Sequence, residues 1–250
     1  MKLFAQILIS SLIVFILFSC KKDAENEDSQ FHSLRGIVQP VFGAGNNLYL
    51  DSIYTTQEGY DIQFKEIQFF VQDIKFGSLQ LVKTALFDYR SSGVDLFRLQ
   101  GTTDNLDSIV TLKLGIDSIS NHQNPSTFHV DNLLHTFNSS DMYWDTNKGY
   151  FFVKIEALVD TVQDGTPLFD HSVIYHVGLD ANIQSLSFNN FYWSPQGVED
   201  VLPLYLDMQA FLAGPQVIDV KIDSVSQSDV GQEILTAKVM GNFAAAIAPF

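Results

Sequence analysis

Residues 60–77 read YDIQFKEIQFFVQDIKFG, and this stretch decides the fold class of the chain. Apolar and polar side chains alternate along it, which is typical of a β-strand that buries one face in a core. The apolar residues occupy even positions as far as Phe64, odd positions from Ile67, and even positions again from Ile74. Because a regular strand keeps its apolar residues on one face, two changes of face predict two irregularities.

The changes of face place these irregularities near residues 65–66 and 72–73. A β-bulge adds one residue to a strand and bends it. Bulges and bends of this kind occur where strands curve or pass from one sheet to another. The stretch therefore predicts strands that curve or cross between sheets.

The same period-two alternation recurs through the rest of the chain. It predicts further strands over 110–116, 151–159, 173–179, 202–206, 220–222 and 235–239. In these segments polar side chains occupy the face opposite the apolar one. Antiparallel sheets show this pattern, whereas buried parallel strands are apolar throughout.

Two stretches show helical character. Apolar residues at positions i, i+3, i+4 and i+7 predict a short helix over 130–137. The tail, 241–250, predicts one or two further turns that dock through Phe243 and Ile247. Many strands and few helices predict an all-β fold, an antiparallel β-sandwich or open barrel with one or two short helices.

The first twenty residues carry an export signature. Residues 1–19 combine a basic start at Lys2 with an apolar run that is too short for a membrane span, as in a signal peptide. The run ends in Leu-Phe-Ser-Cys, which resembles the bacterial lipobox, and Cys20 is the only cysteine of the chain. We therefore expect Cys20 to be acylated and no disulfide to form within the chain. The alternative is an ordinary signal peptide with a chance cysteine.

Residues 20–33 are expected to be the lipidated cysteine and a disordered tether, because residues 21–30 are highly charged and lack aromatic side chains. Their composition resembles the export signal of bacterial surface lipoproteins. We expect a protein held by acyl chains at the outer membrane or cell surface, facing the periplasm or the exterior. Residues 34–250 contain no linker and are expected to form a single β domain.

Composition and motifs argue against several function classes. The formal net charge of −15 disfavours nucleic acid as a partner, since Lys and Arg hold nucleic acid. The chain has no G-x-S-x-G elbow, Walker loop or H-E-x-x-H motif, so we expect no enzymatic activity. Residues 160–165 read DTVQDG and fit either a calcium-binding loop or, as the Asp-Gly pair favours, a turn between strands.

The histidines do not converge in the predicted elements. His171 and His176 lie five residues apart on one predicted strand, so they point to opposite faces. His129 and His135 lie six residues apart, which on a helix is roughly 240° at about 100° per residue. His176 shares its face with Gly178, and this glycine leaves room for a ligand or for a packed neighbouring backbone.

Four segments occur in a familiar order: FKEIQFFVQDIKF (64–76), GIDSISN (115–121), DMYWDTNKGYFFVKIEA (141–157) and YHVG (175–178). With these segments the chain resembles the MbnP-like family, the copper-binding periplasmic proteins associated with methanobactin, and its lipoprotein relatives. The third segment is the most specific, with a methionine, a tryptophan, a Gly-Tyr pair and a Lys-x-Glu strand. The resemblance implies a β-sandwich-like domain, in agreement with the alternation.

The resemblance also implies a copper site. In copper-binding members two histidines and a kynurenine hold the metal, and a partner di-haem enzyme of the cytochrome c peroxidase class makes the kynurenine from tryptophan. That tryptophan and the first histidine correspond here to Phe70 and Gln72, and the second histidine corresponds to His176. The resemblance thus implies a protein that binds or handles copper and keeps one ligand of three. His171, His129 or a methionine are further candidate ligands.

Met142 and Trp144 have two interpretations. They either contribute to metal chemistry, with Trp144 as a second candidate for oxidation, or build the corner where a loop enters the next strand. The corner is favoured, because Gly149 permits the turn and Tyr150 anchors it.

A metal-free function is the alternative. In it, the β-sandwich lipoprotein recognises a protein or a glycan. The aromatic pair Tyr192–Trp193 then either stacks on a sugar or caps a loop that packs on the core. An enzyme is the least supported class, because no nucleophile, base and orienting group occur together.

Overall fold

Strands dominate the computed structural model, which describes residues 32–43, 45–104, 106–162 and 164–249. The strands are β1 (Ser33–Val41), β2 (Tyr54–Thr55), β3 (Asp61–Phe76), β4 (Leu79–Asp88), β5 (Asp95–Gln100), β6 (Val110–Leu114), β7 (Tyr143–Asp145), β8 (Gly149–Asp160), β9 (His171–Gly178), β10 (Gln184–Phe188), β11 (Ser194–Gln196), β12 (Glu199–Asp207), β13 (Val225–Ser226) and β14 (Ile247–Pro249). The helices are α1 (Tyr89–Ser92), α2 (Ser118–Asn121), α3 (Thr136–Ser139), α4 (Met208–Ala213) and α5 (Glu233–Ala245), and 3₁₀ turns span Pro125–Thr127, Ser140–Met142 and Asp180–Asn182.

The expected signal peptide, Cys20 and most of the expected tether lie outside the described residues. Within the described part of the chain, no helix combines the length and the apolar character that a membrane span requires.

The described strands form two sheets. One has the order β11-β12-β1-β5, with β14 also paired to β12. The other has the order β10-β6-β3-β8-β9-β13, with β2 and β4 paired to β3 and β7 paired to β8. Most pairs are antiparallel as predicted, but β1 pairs with β12 and β13 pairs with β9 in parallel. Both parallel pairs join strands that long stretches of chain separate, as parallel pairing requires.

β3 contains both of the irregularities that its sequence predicts. Its pairing with β8 shifts register between Phe64 and Glu66, and its pairing with β6 shifts between Gln72 and Lys75. Asp73 lies within the second shift and has a φ of 51°, which is uncommon outside glycine. One 16-residue strand thereby pairs with β8 along its first half and with β4 and β6 along its second half. The predicted all-β, sandwich-like class is confirmed, with curled and mixed sheets.

One hydrophobic cluster includes residues from both sheets and from α4 and α5. The ring of Phe69 in β3 lies 4.8 Å from Phe87 in β4 and 5.2 Å from Phe243 in α5. The ring of Phe211 in α4 lies 6.0 Å from Phe243 and from Tyr175 of β9. Burying each such side chain contributes about 1.5–3 kcal/mol, so the two helices complete the core.

The C-terminal region corrects two strand predictions. Residues 235–239 belong to α5, because apolar side chains there also recur every four residues as far as Phe243, and a short alternation does not separate the two periods. Residues 220–222 form a turn rather than a strand. The predicted terminal helix is present as the end of α5, but it stops at Ala245 and is followed by β14, which contains Ile247. Both Phe243 and Ile247 are buried.

The prediction of a helix over 130–137 is wrong. Most of this segment forms turns, in which polar side chains bond to the local backbone. Asn132 accepts from the amide of Leu134 at 2.9 Å, and Asn138 donates to the carbonyl of Asn132 at 2.7 Å. Such bonds compete with the helical hydrogen bonds. Leu134 is buried, whereas the other apolar residues of the pattern are exposed.

Candidate functional site

His176 lies on the face of β9 that points away from the core. Its Nε2 atom is 2.8 Å from Oε1 of Glu156 on β8, and its ring centroid is 4.9 Å from that of Phe151. The neighbouring motif residue Lys154 donates to Glu66 at 2.9 Å. The Lys-x-Glu sequence of the third segment lies in β8. Its lysine pairs with Glu66 of β3, and its glutamate pairs with His176.

The other candidate histidines are elsewhere. His171 lies on the opposite face of β9, as the odd spacing predicts, with a buried Nε2 that has no hydrogen-bond partner. His129 is exposed, with Nδ1 3.3 Å from a carboxylate oxygen of Asp131. Within the described part of the chain, no three His, Cys, Asp or Glu side chains are grouped as a metal ion would require.

Phe70 and Gln72 are buried structural residues of β3. The ring of Phe70 meets Tyr150 edge-on at 5.7 Å. Gln72 uses both ends of its amide: Oε1 accepts from the backbone N–H of Asp117 at 2.7 Å, and Nε2 donates to Oγ1 of Thr84 at 3.2 Å. The side chain therefore joins β3 to β4 and to the loop before α2.

The loop-to-strand corner at Gly149 and Tyr150 is held by Asn121. Gly149 has a φ of 78°, and a Cβ there would collide with Asn121, so only glycine fits. Oδ1 of Asn121 accepts from the backbone N–H of Tyr150 at 2.8 Å. The phenol of Tyr150 donates to the carbonyl of Leu134, and burial, with a smaller effect of Tyr143, raises its pKa. Together with the fully buried Met142, these contacts form a structural corner.

Asp180 fixes the loop of this corner to the segment that follows β9. It accepts from Nδ2 of Asn121 at 2.8 Å and from the hydroxyl of Ser118, and lies 3.2 Å from Nε2 of His122. Burial alone would raise the pKa of Asp180, but these hydrogen bonds and the charge of His122 outweigh it and hold the pKa below its usual value.

Trp144 of β7 packs against residues of β8 and β9. Its ring meets Phe151 edge-on at 4.1 Å, and Nζ of Lys148 lies 4.8 Å from its centroid. At Gly178 an added Cβ would collide with the carbonyl of Tyr150 and approach the Trp144 ring to 3.2 Å. The space that this glycine leaves is therefore filled by a neighbouring backbone and an indole, one of the two alternatives that the sequence left open.

The family model of MbnP matches residues 37–230. This chain belongs to the MbnP family. Among solved structures, MbnP from Methylosinus trichosporium matches with 15% sequence identity and a TM-score of 0.47, covering 74% of this chain and 78% of that chain. No curated protein matches the chain. The resemblance that the four sequence segments carry is thus confirmed.

The side chains of this MbnP-family chain do not fit the copper site that the resemblance implies. Phe70 has no donor atom, and Gln72 offers only an amide whose two ends are already bonded. An amide is a poor copper ligand beside imidazole, thiolate or thioether. Of the three implied ligand positions, only His176 carries a suitable donor atom, and this side chain is paired with Glu156.

Two further sequence-based interpretations have a structural answer. Tyr192 is exposed, but Trp193 stacks on Phe76 at 5.1 Å, so the two rings do not form one solvent-facing pair. In the segment 160–165 the carboxylate of Asp160 accepts from the amides of Val162 and Leu168 at 2.9 Å, as in a turn.

Sequence patterns missed the hydroxyls of Ser139 and Tyr143. Both are buried beside Trp144 and have no hydrogen-bond partner. Residue spacing carries no signal for this property, because whether a buried hydroxyl finds a partner depends on the tertiary structure around it.

Proposed function

We propose that this chain is a lipid-anchored, extracytoplasmic MbnP-family protein. It binds its ligand and holds no copper at Phe70, Gln72 and His176. Its role is recognition rather than catalysis. The basis is threefold: family membership, the lipobox-like sequence that ends at Cys20, and the structural use of two of the three implied ligand positions.

The bonding of Gln72 carries the proposal. A metal that took up Oε1 of Gln72 would displace the hydrogen bond that this oxygen accepts from the backbone N–H of Asp117. Leaving a buried donor unpaired costs about 1–3 kcal/mol, and amide coordination offers copper little in return. The amide is therefore more stable as a link between β3 and its neighbours than as a ligand.

The partner enzyme of copper-binding members has no substrate at the implied position, because residue 70 is phenylalanine. Trp144 is the remaining candidate for oxidation in the third motif. Its contacts with Phe151 and Gly178 support a packing role instead. We therefore propose that the chain functions without a di-haem partner, and that mass spectrometry of the peptide containing Trp144 will show unmodified tryptophan.

Copper titration tests the metal-free role. The full acylated protein in detergent is titrated with Cu(I) against a chromophoric competitor and with Cu(II) by calorimetry. Variants His176→Ala and His171→Ala are matched, since the two histidines occupy opposite faces of one strand. We expect no binding tighter than about micromolar in any of the three proteins. Tighter binding that is lost in His176→Ala and kept in His171→Ala would overturn the proposal.

Acylation is tested separately with Cys20→Ala. Cells labelled with a fatty-acid analogue should incorporate label into the wild-type chain, which should fractionate with the outer membrane and be accessible to surface probes or periplasmic proteases. The variant should lose both the label and the membrane association. Equal labelling of the two chains would refute the anchor.

A further inference from the structure

Two segments of the chain lie beside His32, the first described residue, at one end of the sheet β11-β12-β1-β5. The amide of Gly101 donates to the carbonyl of His32 at 3.0 Å, and the amide of Ser33 donates to the carbonyl of Val198 at 3.0 Å. Gly101 follows β5, and Val198 lies in the turn between β11 and β12. The end at which β1 begins is therefore the end to which the N-terminal segment is joined.

The same end continues onto the second sheet. The loop between β5 and β6 and the loop between β10 and β11 connect the two sheets there. The amide of Phe191 donates to the carbonyl of Ser108 at 2.7 Å, and the amide of Gly77, in the turn between β3 and β4, donates to the carbonyl of Ile109 at 2.9 Å. We call this end the N-terminal face, and it comprises residues 32–33, 77–79, 101–104, 106–109, 189–193 and 196–199.

The N-terminal face exposes several large apolar side chains. Four of them are between 41% and 78% exposed: Leu79, Ile109, Tyr192 and Val198. Beside Tyr192, the indole of Trp193 stacks on Phe76 at 5.1 Å, which fixes this part of the loop against the end of β3. Aromatic side chains next to aliphatic ones are typical of protein surfaces that enter the interface of a lipid bilayer.

The charges of the N-terminal face favour a neutral lipid surface. Its loops and turns contain no lysine or arginine. Its glutamate, Glu199, pairs with Arg98, and its histidine, His32, lies 2.8 Å from a carboxylate oxygen of Asp200. Because clusters of Lys and Arg hold anionic headgroups, attraction to anionic lipid cannot drive docking here. Burial of apolar side chains is the remaining driving force, and a zwitterionic surface satisfies it.

The length of the N-terminal segment makes this end the one that meets the membrane. His32 follows the expected acylation site, Cys20, by twelve residues. A flexible chain of twelve residues has a root-mean-square span of about 17–21 Å. The nine residues of β1 extend over about 26 Å, so the opposite end of the domain lies farther from His32 than such a chain usually reaches.

We propose that the N-terminal face docks on a zwitterionic phospholipid surface, the membrane in which the acyl chains of Cys20 are inserted. Leu79, Ile109, Tyr192 and Val198 enter its interface. The inference rests on the proposed lipid anchor and adds a membrane-facing surface to it. Docking gives the anchored domain a fixed orientation, with the start of β3 and the end of β8 directed away from the lipid.

The two tryptophans of the chain serve as reporters of this orientation. Trp193 belongs to the N-terminal face, whereas Trp144 lies in β7 at the structural corner. The variants Trp144→Phe and Trp193→Phe each keep one indole. The full acylated proteins are reconstituted into phosphatidylcholine vesicles with brominated or unbrominated acyl chains, and bromine quenches the fluorescence of an indole that lies close to it.

A pair of double variants in the Trp144→Phe background tests the apolar side chains. Leu79→Ser/Tyr192→Ser changes the N-terminal face. Leu168→Ser/Tyr49→Ser is the matched control, because it changes the same residue types at exposed positions of the opposite end. There Tyr49 follows Leu48, which bonds to Pro40 near the end of β1, and Leu168 bonds to Asp160 at the end of β8. Both double variants replace exposed side chains and should melt at the temperature of their parent.

We expect the emission of Trp193 to fall in brominated vesicles and that of Trp144 to stay unchanged. Each apolar side chain that enters the interface should favour docking about three- to tenfold. Leu79→Ser/Tyr192→Ser should therefore lower the ratio of docked to undocked protein about ten- to hundredfold and remove the quenching of Trp193. The control should be quenched as its parent is.

Flotation of the vesicles separates this inference from the anchor on which it rests. Wild-type protein that floats with the vesicles while Trp193 is not quenched refutes the docking and leaves the anchor standing. Equal quenching of Trp144 and Trp193, or quenching that persists in Leu79→Ser/Tyr192→Ser, refutes the docking as well. A dimer that this variant breaks, without quenching of Trp193, would assign the face to a second copy of the chain. Wild-type protein that does not float refutes both the anchor and the docking.

Discussion

Replacing Gln72 by alanine should destabilise the fold by about 3–5 kcal/mol. The substitution removes the hydrogen bond to Thr84, leaves the N–H of Asp117 without its acceptor, and takes one buried methylene group, Cγ, out of the core. A lost hydrogen bond costs about 1 kcal/mol, an unpaired buried donor about 1–3 kcal/mol, and each methylene about 0.8 kcal/mol. For a domain of this size the melting temperature should fall by about 6–20 °C.

Gln68→Ala is the matched control. Gln68 lies on the same face of β3 and is 5% exposed, compared with 3% for Gln72. Its Nε2 donates to Asp141 at 3.1 Å, but its Oε1 has no partner, so its removal also relieves an unpaired acceptor. We expect a loss of only about 1–2 kcal/mol. Urea denaturation of both variants measures the difference, and an equal or smaller loss for Gln72→Ala would refute the structural role of Gln72.

Four further substitutions test the corner and the glycines. Gly178→Ala should destabilise the fold by about 1–3 kcal/mol, because the new Cβ meets the Tyr150 backbone. Gly241→Ala should stabilise the fold by about 0.5–1 kcal/mol, because its Cβ meets open space within α5. Denaturation curves that show Gly178→Ala to be the more stable of the two would contradict this packing. Tyr150→Phe leaves the carbonyl of Leu134 unpaired and should lower stability by about 1–3 kcal/mol, which thermal unfolding measures. The Asp180 carboxylate has a lowered pKa in the folded state, so its contribution to stability is present above about pH 4 and is lost as the pH falls through the folded pKa. Asp180→Asn should therefore reduce the loss of stability at acidic pH. If stability falls with acid in the variant as it does in the wild type, Asp180 does not have this role.

The fold is largely predictable from alternation, and the errors have one physical origin. In β3 the positions of the apolar residues indicate which face is buried, so they also predict the two register shifts of this strand. In α5 the same kind of residue fits both a strand and a helix over a few positions, and tertiary packing decides. Over 130–137 the apolar spacing suggests a helix, but local bonds from Asn132 and Asn138 stabilise turns instead.

The candidate site is less predictable, because its properties depend on pairing between distant residues. The odd spacing of His171 and His176 correctly separates them, since side-chain direction along one strand is a local property. The hydrogen bond between Gln72 and Asp117 joins positions that are 45 residues apart, and no sequence pattern predicts it. The unpaired hydroxyls of Ser139 and Tyr143 are invisible for the same reason.

Whether Gln72 is a structural link or a copper ligand is tested most directly by nuclear magnetic resonance. Spectra of the amide groups are recorded before and after the addition of one equivalent of Cu(II). A paramagnetic ion broadens the signals of nearby protons. If Gln72 is a structural link, its side-chain amide and the backbone amide of Asp117 should keep their positions and intensities. Selective loss of these two signals together with those of His176 would show that copper occupies this position and would contradict the account.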